Sequence, residues 1–493
     1  MQTQWWNPYG FEVNWYGYTM PMHEVTKNPP LACAYIALLS SIFGESEVAL
    51  HLGFLAQAVA VVLGTYHLAR RLCTTPFPAT LAALFTPVIM VSSTTVMCDM
   101  LMLAFWIWAV VFWIKGLDDD QPLMLALAGL LVGAGVLAKY FGIALIPLLL
   151  AYSLGRQRRF GWWLAYLLIP VAVVLLYEYW TRALYGRGLL LDAFSYTHQA
   201  EPRTLPGLLV KTLTGVGFAG GCYAITLILT LVLWTRRAWL WAGCVVLVAV
   251  LGLFIRSFAS TATPGQFLIG CQWTLLLLGG SGLLLMPILD WRRNKNGESL
   301  LLLLWIFGTF LFCILNWTIN ARALLPMAPA VAILLLRRIE AVAPAARLQW
   351  FFLPAALLAL LVSFADYKLA NSARAAAVTI KEKFGANPGG TVWFQGHWGF
   401  QYYAEANGLR AYDSTRSQLQ PGDLMVLPFN NTNLIPIPKE KAERLTILEF
   451  PVFPWLSTTS KPVGSGFYMD ILGPLPFAFG AVPPEKYYIL RCK

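Results

Sequence analysis

Apolar runs of roughly bilayer-spanning length recur along this chain from residue 47 to 366 and then stop. A hydrocarbon core about 30 Å thick is crossed by roughly 20 apolar helical residues. Runs that reach or approach this length are 47–66, 78–95, 98–114, 122–137, 140–154, 162–180, 210–234, 238–255, 267–288, 299–317, 322–337 and 350–366. The stretch 30–44, which follows Asn28-Pro29-Pro30, is apolar but short, and reads as an interfacial or re-entrant helix. Composition agrees: 58% of the residues are hydrophobic and 12% are charged, where a soluble chain carries roughly twice that charged fraction.

After residue 370 the pattern changes. Ser372–Phe384, rich in Ala and Lys, reads as a helix, while Thr391–Gln395, Asp423–Pro428 and Leu445–Phe450 read as strands between Gly, Pro and Asn turns. The expected fold class is therefore mainly α: a polytopic membrane helical bundle with a small C-terminal α/β soluble domain. Its expected parts are an outer loop with a juxtamembrane helix (1–46), a transmembrane domain (47–366) and an extracytoplasmic soluble domain (367–493).

A net charge of +11 raises the question of a nucleic-acid partner. The placement of the charges argues against one, because most Lys and Arg residues sit in short links between apolar runs. Arg70 and Arg71, Lys115, Arg156 with Arg158 and Arg159, Arg236 and Arg237, Arg292 with Arg293 and Lys295, and Arg337 with Arg338 fall on one side. By the positive-inside rule that side is the cytoplasm. Residues 1–46 and everything after 366 then lie outside. The 8 cysteines are scattered, mostly within apolar runs, and show no metal-ligand spacing. Residues 1–30 have neither the basic start nor the apolar core of a signal peptide.

The charges that fall on the outer side are the candidates for chemistry. His23, Glu24 and Lys27 precede the Pro29-Pro30 corner, where a carboxylate can act as a general base or, with His23, hold a divalent metal. The plain alternative is an exposed polar loop. Asp99 opens the run 98–114, and is either a carboxylate facing an outer cavity or a favourable charge on a helix N-terminus. Lys139 separates two short apolar runs, which suggests a hairpin whose tip lies below the outer surface. Arg322 opens the helix that follows Asn320. Ionisable groups at membrane depth are usually functional, and two cations there suit a lipid phosphate or pyrophosphate. His198 is a weaker phosphate ligand or a solvated loop residue. His397, in an aromatic stretch from Trp398 to Tyr403, belongs either to a sugar-stacking face or, preferably, to a core.

Taken together, these motifs resemble the membrane-embedded glycosyltransferases of the C-type fold that use polyprenyl-phosphate-linked sugars. The group is that of the dolichyl-phosphate-mannose-protein mannosyltransferases and aminoarabinose transferases. The resemblance rests on Asn28-Pro29-Pro30-Leu31, Phe43-Gly44-Glu45-Ser46-Glu47, Ala69-Arg70-Arg71, Asp99, Gly133 to Lys139, and Ala321-Arg322-Ala323-Leu324-Leu325-Pro326. It implies transfer of a sugar, a hexose or pentose, from a polyprenyl-phosphate donor to an acceptor hydroxyl at the outer face of the membrane. A carboxylate, Glu24 or Asp99, takes the acceptor proton, and Lys27, Lys139, Arg322 and His198 hold the phosphate. The implied partners are the lipid-linked sugar, a lipid, glycan or protein acceptor, and membrane lipids. The expected location is the bacterial inner (plasma) membrane. The resemblance also implies a first helix followed by an acidic residue ahead of residue 1, so the chain is expected to be truncated and inactive as it stands. Two other readings remain open: a transporter or lipid translocase, and a degenerate transferase that binds lipid-linked sugars without turnover.

Overall fold

The computed structural model describes residues 6–199, 204–227, 240, 243, 264–341, 349–385 and 390–493. The chain forms two compact units. The first comprises Met1–Pro8, Lys27–Ser363 and Gly464–Ala478; the second comprises Tyr9–Thr26, Phe364–Val463 and Phe479–Lys493.

The first unit is helical. Seven described helices are long and apolar enough to cross a membrane, or eight when a pair bent by 67° counts as one span. They include Glu47–Leu72, Cys98–Asp118, Leu205–Cys222 and Gly297–Leu315. The protein is therefore an integral membrane protein. About twelve spans were expected from length alone, and the differences have local causes. The run 78–95 is the bent pair, Pro76–Leu84 and Pro87–Ser93, broken where Pro87 follows the Thr86 cap. The runs 122–137 and 140–154 become the helices Pro122–Ala138 and Leu145–Gln157, of 17 and 13 residues. The run 322–337 folds as three pieces, because Pro326 and Pro329 each remove a backbone donor. The run 238–255 lies almost wholly outside the described residues.

Cys98–Asp118 is the central helix. It is apolar on every side, 72% of its membrane-length window is buried, and it packs on Pro122–Ala138 and Glu47–Leu72. Acidic residues mark its two ends. At the C-terminal end Asp118 accepts from Arg71 at 2.9 Å and pairs with Arg156 at 3.4 Å. Asp99 stands at the other end, roughly 29 Å away at 1.5 Å of rise per residue. That separation matches a bilayer core. Two of the arginines placed in cytoplasmic links by their sequence pattern thus meet at one end of this helix, and Asp99 lies at the other.

The second unit contains a five-stranded sheet built from β3 (Val392–Phe394), β4 (Arg410–Ala411), β5 (Leu424–Pro428), β6 (Ala442–Phe450) and β7 (Glu485–Cys492). Their order is β4-β3-β5-β7-β6. β3 runs parallel to β4 and β5, while β7 is antiparallel to β5 and β6. Ala376, Ala377 and Ile380 of the helix Gln349–Phe384, with Phe400 and Ala404 of the helix Trp398–Ala406, cover the sheet residues Phe394, Val426, Tyr487 and Ile489. His397 is 4% exposed, so the aromatic stretch around it contributes to a core.

The unit drawn at 367–493 from sequence also takes in Tyr9–Thr26. The reason is a hairpin, β1 (Glu12–Asn14) with β2 (Thr19–Pro21), pinned to the segment after β4. Asn14 Nδ2 donates to the Tyr412 carbonyl at 2.7 Å, Thr19 N donates to Asp413 at 2.8 Å, and Arg416 donates to Glu12 at 2.8 and 3.1 Å. The Asp413 carboxyl loses stability to burial. Hydrogen bonds from Thr19 and Thr415 outweigh that loss and hold it well below the usual range.

Glu485, at the start of β7, is the opposite case. Burial pushes its carboxyl up to about 7, and the Asn430 side-chain donor at 3.1 Å offsets this only partly. The folded state therefore keeps a proton that the unfolded chain releases near 4.5. Stability of this unit falls as pH rises from about 4.5 through about 7, and then levels. Glu485→Gln should remove that slope. Thermal melts should show the variant gaining on the wild type at pH 8 and not at pH 4.5; an equal gap at both pH values would refute the assignment.

Candidate functional site

Three breaks in helical structure place the site. The first is the start of Cys98–Asp118, which puts Asp99 in the first turn. The second is Lys139, whose extended backbone ends Pro122–Ala138 and leads into a short 3-10 turn, Tyr140–Ala144. This is the interruption that two short apolar runs around a Lys predicted. The third is the short helix Ala321–Leu324, capped by Asn320, whose Oδ1 accepts from Ala323 N at 2.8 Å. The chain bends after it, and side chains take up carbonyls there. Tyr223 Oη donates to Leu324 O at 2.6 Å, and Trp305 Nε1 donates to Pro326 O at 2.8 Å.

These breaks bring Asp99, Lys139 and Arg322 together. Asp99 is 1% exposed; Lys139 Nζ donates to its Oδ1, and Arg322 Nη1 lies 3.5 Å from its Oδ2. Both cationic side chains keep 21% of their surface exposed. Two cations against one carboxylate leave a positive charge with an open side. That arrangement suits an anion with several acceptor oxygens.

A second cluster repeats the pattern. Lys27 Nζ donates to Asp192 Oδ2 at 2.6 Å, Arg187 Nη1 lies 3.6 Å from Asp192 Oδ1, and the Lys27 ammonium sits 5.2 Å from the Tyr196 ring centre. The two clusters are joined through chain neighbours, since Asn28 Oδ1 lies 3.8 Å from Cys98 Sγ.

The other expected residues are placed differently. His23 and Glu24 occupy the four-residue helix Met22–Val25, which belongs to the second unit. Among the described residues no three His, Cys, Asp or Glu side chains gather in a group that could hold a metal. His198 falls in the helix Leu189–Gln199, and its side chain lies outside the described residues.

Two elements of the site had no part in the sequence reading. Asp192 was missed because an acid in a loop of mixed charge carries no distinguishing pattern. The other is Tyr468, whose ring centre lies 5.4 Å from the Arg322 guanidinium carbon. It arrives on the segment Gly464–Ala478, far along the chain and beyond every apolar run.

The spans define a membrane-embedded protein, and its helical unit holds both of these polar clusters. Residues 27–180, which contain Lys27, Asp99 and Lys139, match the family model described as dolichyl-phosphate-mannose-protein mannosyltransferase. Over this stretch the match bears out the resemblance to glycosyltransferases that use polyprenyl-phosphate sugars. A comparison with curated proteins finds no match. Among solved structures, ArnT from Cupriavidus metallidurans in the apo state is similar at 16% identity, over 81% of this chain and 82% of that one, with a TM-score of 0.40. The same protein bound to undecaprenyl phosphate is similar at 15% identity, over 82% and 83%, with a TM-score of 0.39. The oligosaccharyltransferase of Archaeoglobus fulgidus in the apo form is similar at 13% identity, over 83% of this chain and 58% of that one, with a TM-score of 0.45.

The tight turn after Lys139 depends on Gly142. A Cβ there would meet the backbone of Gly135 and Val136 at 2.5 and 2.6 Å. Gly142→Ala must therefore push the 3-10 turn away from its helix and carry Lys139 with it. A loss of roughly 1–3 kcal/mol is expected, read as a lowered melting temperature in detergent. A variant as stable as the wild type would show that the turn relaxes without strain.

Proposed function

We propose that this protein is a glycosyltransferase that moves a sugar from a polyprenyl-phosphate donor to an acceptor hydroxyl at the extracytoplasmic face of a membrane. The observation that carries this reading is the buried Asp99 carboxylate holding Lys139 and Arg322 with an open side. The family match over 27–180 supports it.

In the proposed reaction the bond between the sugar C1 and the phosphate oxygen breaks, and the phosphate keeps the bonding pair. Lys139 and Arg322 stabilise the charge that gathers on the departing oxygen. The acceptor oxygen forms the new bond to C1 and gives its proton to a carboxylate. Asp99 is the carboxylate proposed for that step. Each Asp99 oxygen faces a cation, so Asp99 takes the proton only as the phosphate draws the cations toward itself. Otherwise it serves as their anchor. Lys27, beside Asp192, is proposed to meet the same lipid-phosphate group. The acceptor is a lipid, glycan or protein hydroxyl, and the proposed location is the bacterial inner membrane with the C-terminal unit outside the cytoplasm.

The bent pair Pro76–Leu84 and Pro87–Ser93 favours a second reading, a transporter, because broken helices often line substrate paths. Transfer of radiolabelled sugar from a polyprenyl-phosphate donor separates the two. Lys139→Ala and Arg322→Ala should each lower transfer by about 100-fold or more, with membrane insertion intact. Full transfer in Lys139→Ala would remove it from the site. Donor translocation without transfer by the wild type would favour the transporter.

A further inference from the structure

We propose that Tyr468 is a positioning residue for Arg322, carried into the cationic site by the segment Gly464–Ala478 to fix the plane in which the guanidinium meets a phosphoryl group. This rests on the phosphate role proposed for Arg322.

Arg322 is weakly restrained by its other contacts. Its single approach to Asp99, at 3.5 Å, is at the outer limit of a hydrogen bond. Its Nε is buried and has no hydrogen-bond partner among the described residues. Among the described residues, one long contact at one nitrogen is a weak hold on the orientation of the guanidinium. A ring 5.4 Å from the guanidinium carbon strengthens that hold, and lies within the range of a cation–π contact.

The segment that carries the ring is itself tied to Arg322. Phe467 O accepts from Ala321 N at 2.8 Å, and Asp470 N donates to Ile319 O at 2.9 Å. Asp470 Oδ1 accepts from Ile319 N at 3.1 Å, and from the Thr318 hydroxyl. Tyr468 thus sits between the two residues that grip the strand of chain leading into Arg322. The base of the segment is closed by Gly466 N donating to Leu475 O at 2.8 Å, and by Leu475 N donating to Gly464 O at 3.2 Å.

A phosphate accepts from the edge of a guanidinium, in its plane, often through two parallel bonds. In the proposed arrangement the ring stacks on the guanidinium face and leaves that edge open. Fixing the plane before the anion arrives lowers the ordering cost of binding.

The test measures binding of farnesyl phosphate, and of farnesol as its uncharged counterpart, to the full chain in detergent by calorimetry. Tyr468→Leu should weaken farnesyl phosphate by roughly 3- to 10-fold and leave farnesol unchanged. Tyr468→Phe, which keeps the ring, should bind both as the wild type does. If Tyr468→Leu does not fold, Tyr468→Met, which fills the space without a ring, replaces it. Equal losses for the phosphate and the alcohol, or the same loss in Tyr468→Phe, would mean packing alone and overturn the assignment. Arg322→Ala separates the two levels. Unchanged farnesyl phosphate binding in that variant defeats the phosphate role itself. A loss there with none in Tyr468→Leu defeats only the role of Tyr468.

Discussion

A carboxylate removed from water must be matched by positive charge, and in this bundle that requirement falls on Asp99. Removing one partner of such a pair typically costs about 3–5 kcal/mol, because the remaining charge is left buried. The constraint reaches well beyond the three side chains. It ties together the start of the Cys98–Asp118 helix, the end of Pro122–Ala138 at Lys139, and the segment around Arg322 that its prolines interrupt. Backbone groups freed at the last break would be costly inside a membrane. Tyr223 and Trp305 take up two carbonyls there, so a polar cluster is maintained with ordinary aromatic residues as its support.

How much of this was legible in the sequence varied with distance along the chain. The break at Lys139 was readable, since two apolar runs too short to span flank a single cation. Arg322 stood out for the same reason. The proline positions in 322–337 were equally visible, yet length and hydropathy merged three pieces into one span. Apolar runs and straight helices differ wherever a bend or a short helix interrupts a run, because hydropathy reports burial and not straightness. Tyr468 and the β1–β2 hairpin could not be seen at all. Their partners lie well over a hundred residues away in sequence, and neither local propensity nor periodicity encodes such pairings. β7 was missed because Glu485, Lys486 and Arg491 mask the alternation of Tyr487 and Ile489.

The charge distribution also separates two uses of the same chemistry. At the Asp118 end, arginines pair with acids at the termini of helices and satisfy the usual electrostatics of a membrane boundary. At the Asp99 end, Lys139 and Arg322 share one buried carboxylate.

The segment Gly464–Ala478 gives the bundle an unusual dependence on timing. Every described helix long and apolar enough to cross a membrane precedes this segment in the chain, so the chain can insert and pack while Arg322 still lacks its aromatic support. The site draws on a portion of the polypeptide that follows those helices in the chain. A chain broken off near residue 460 would sit in the membrane as a well-packed bundle with an incompletely ordered guanidinium.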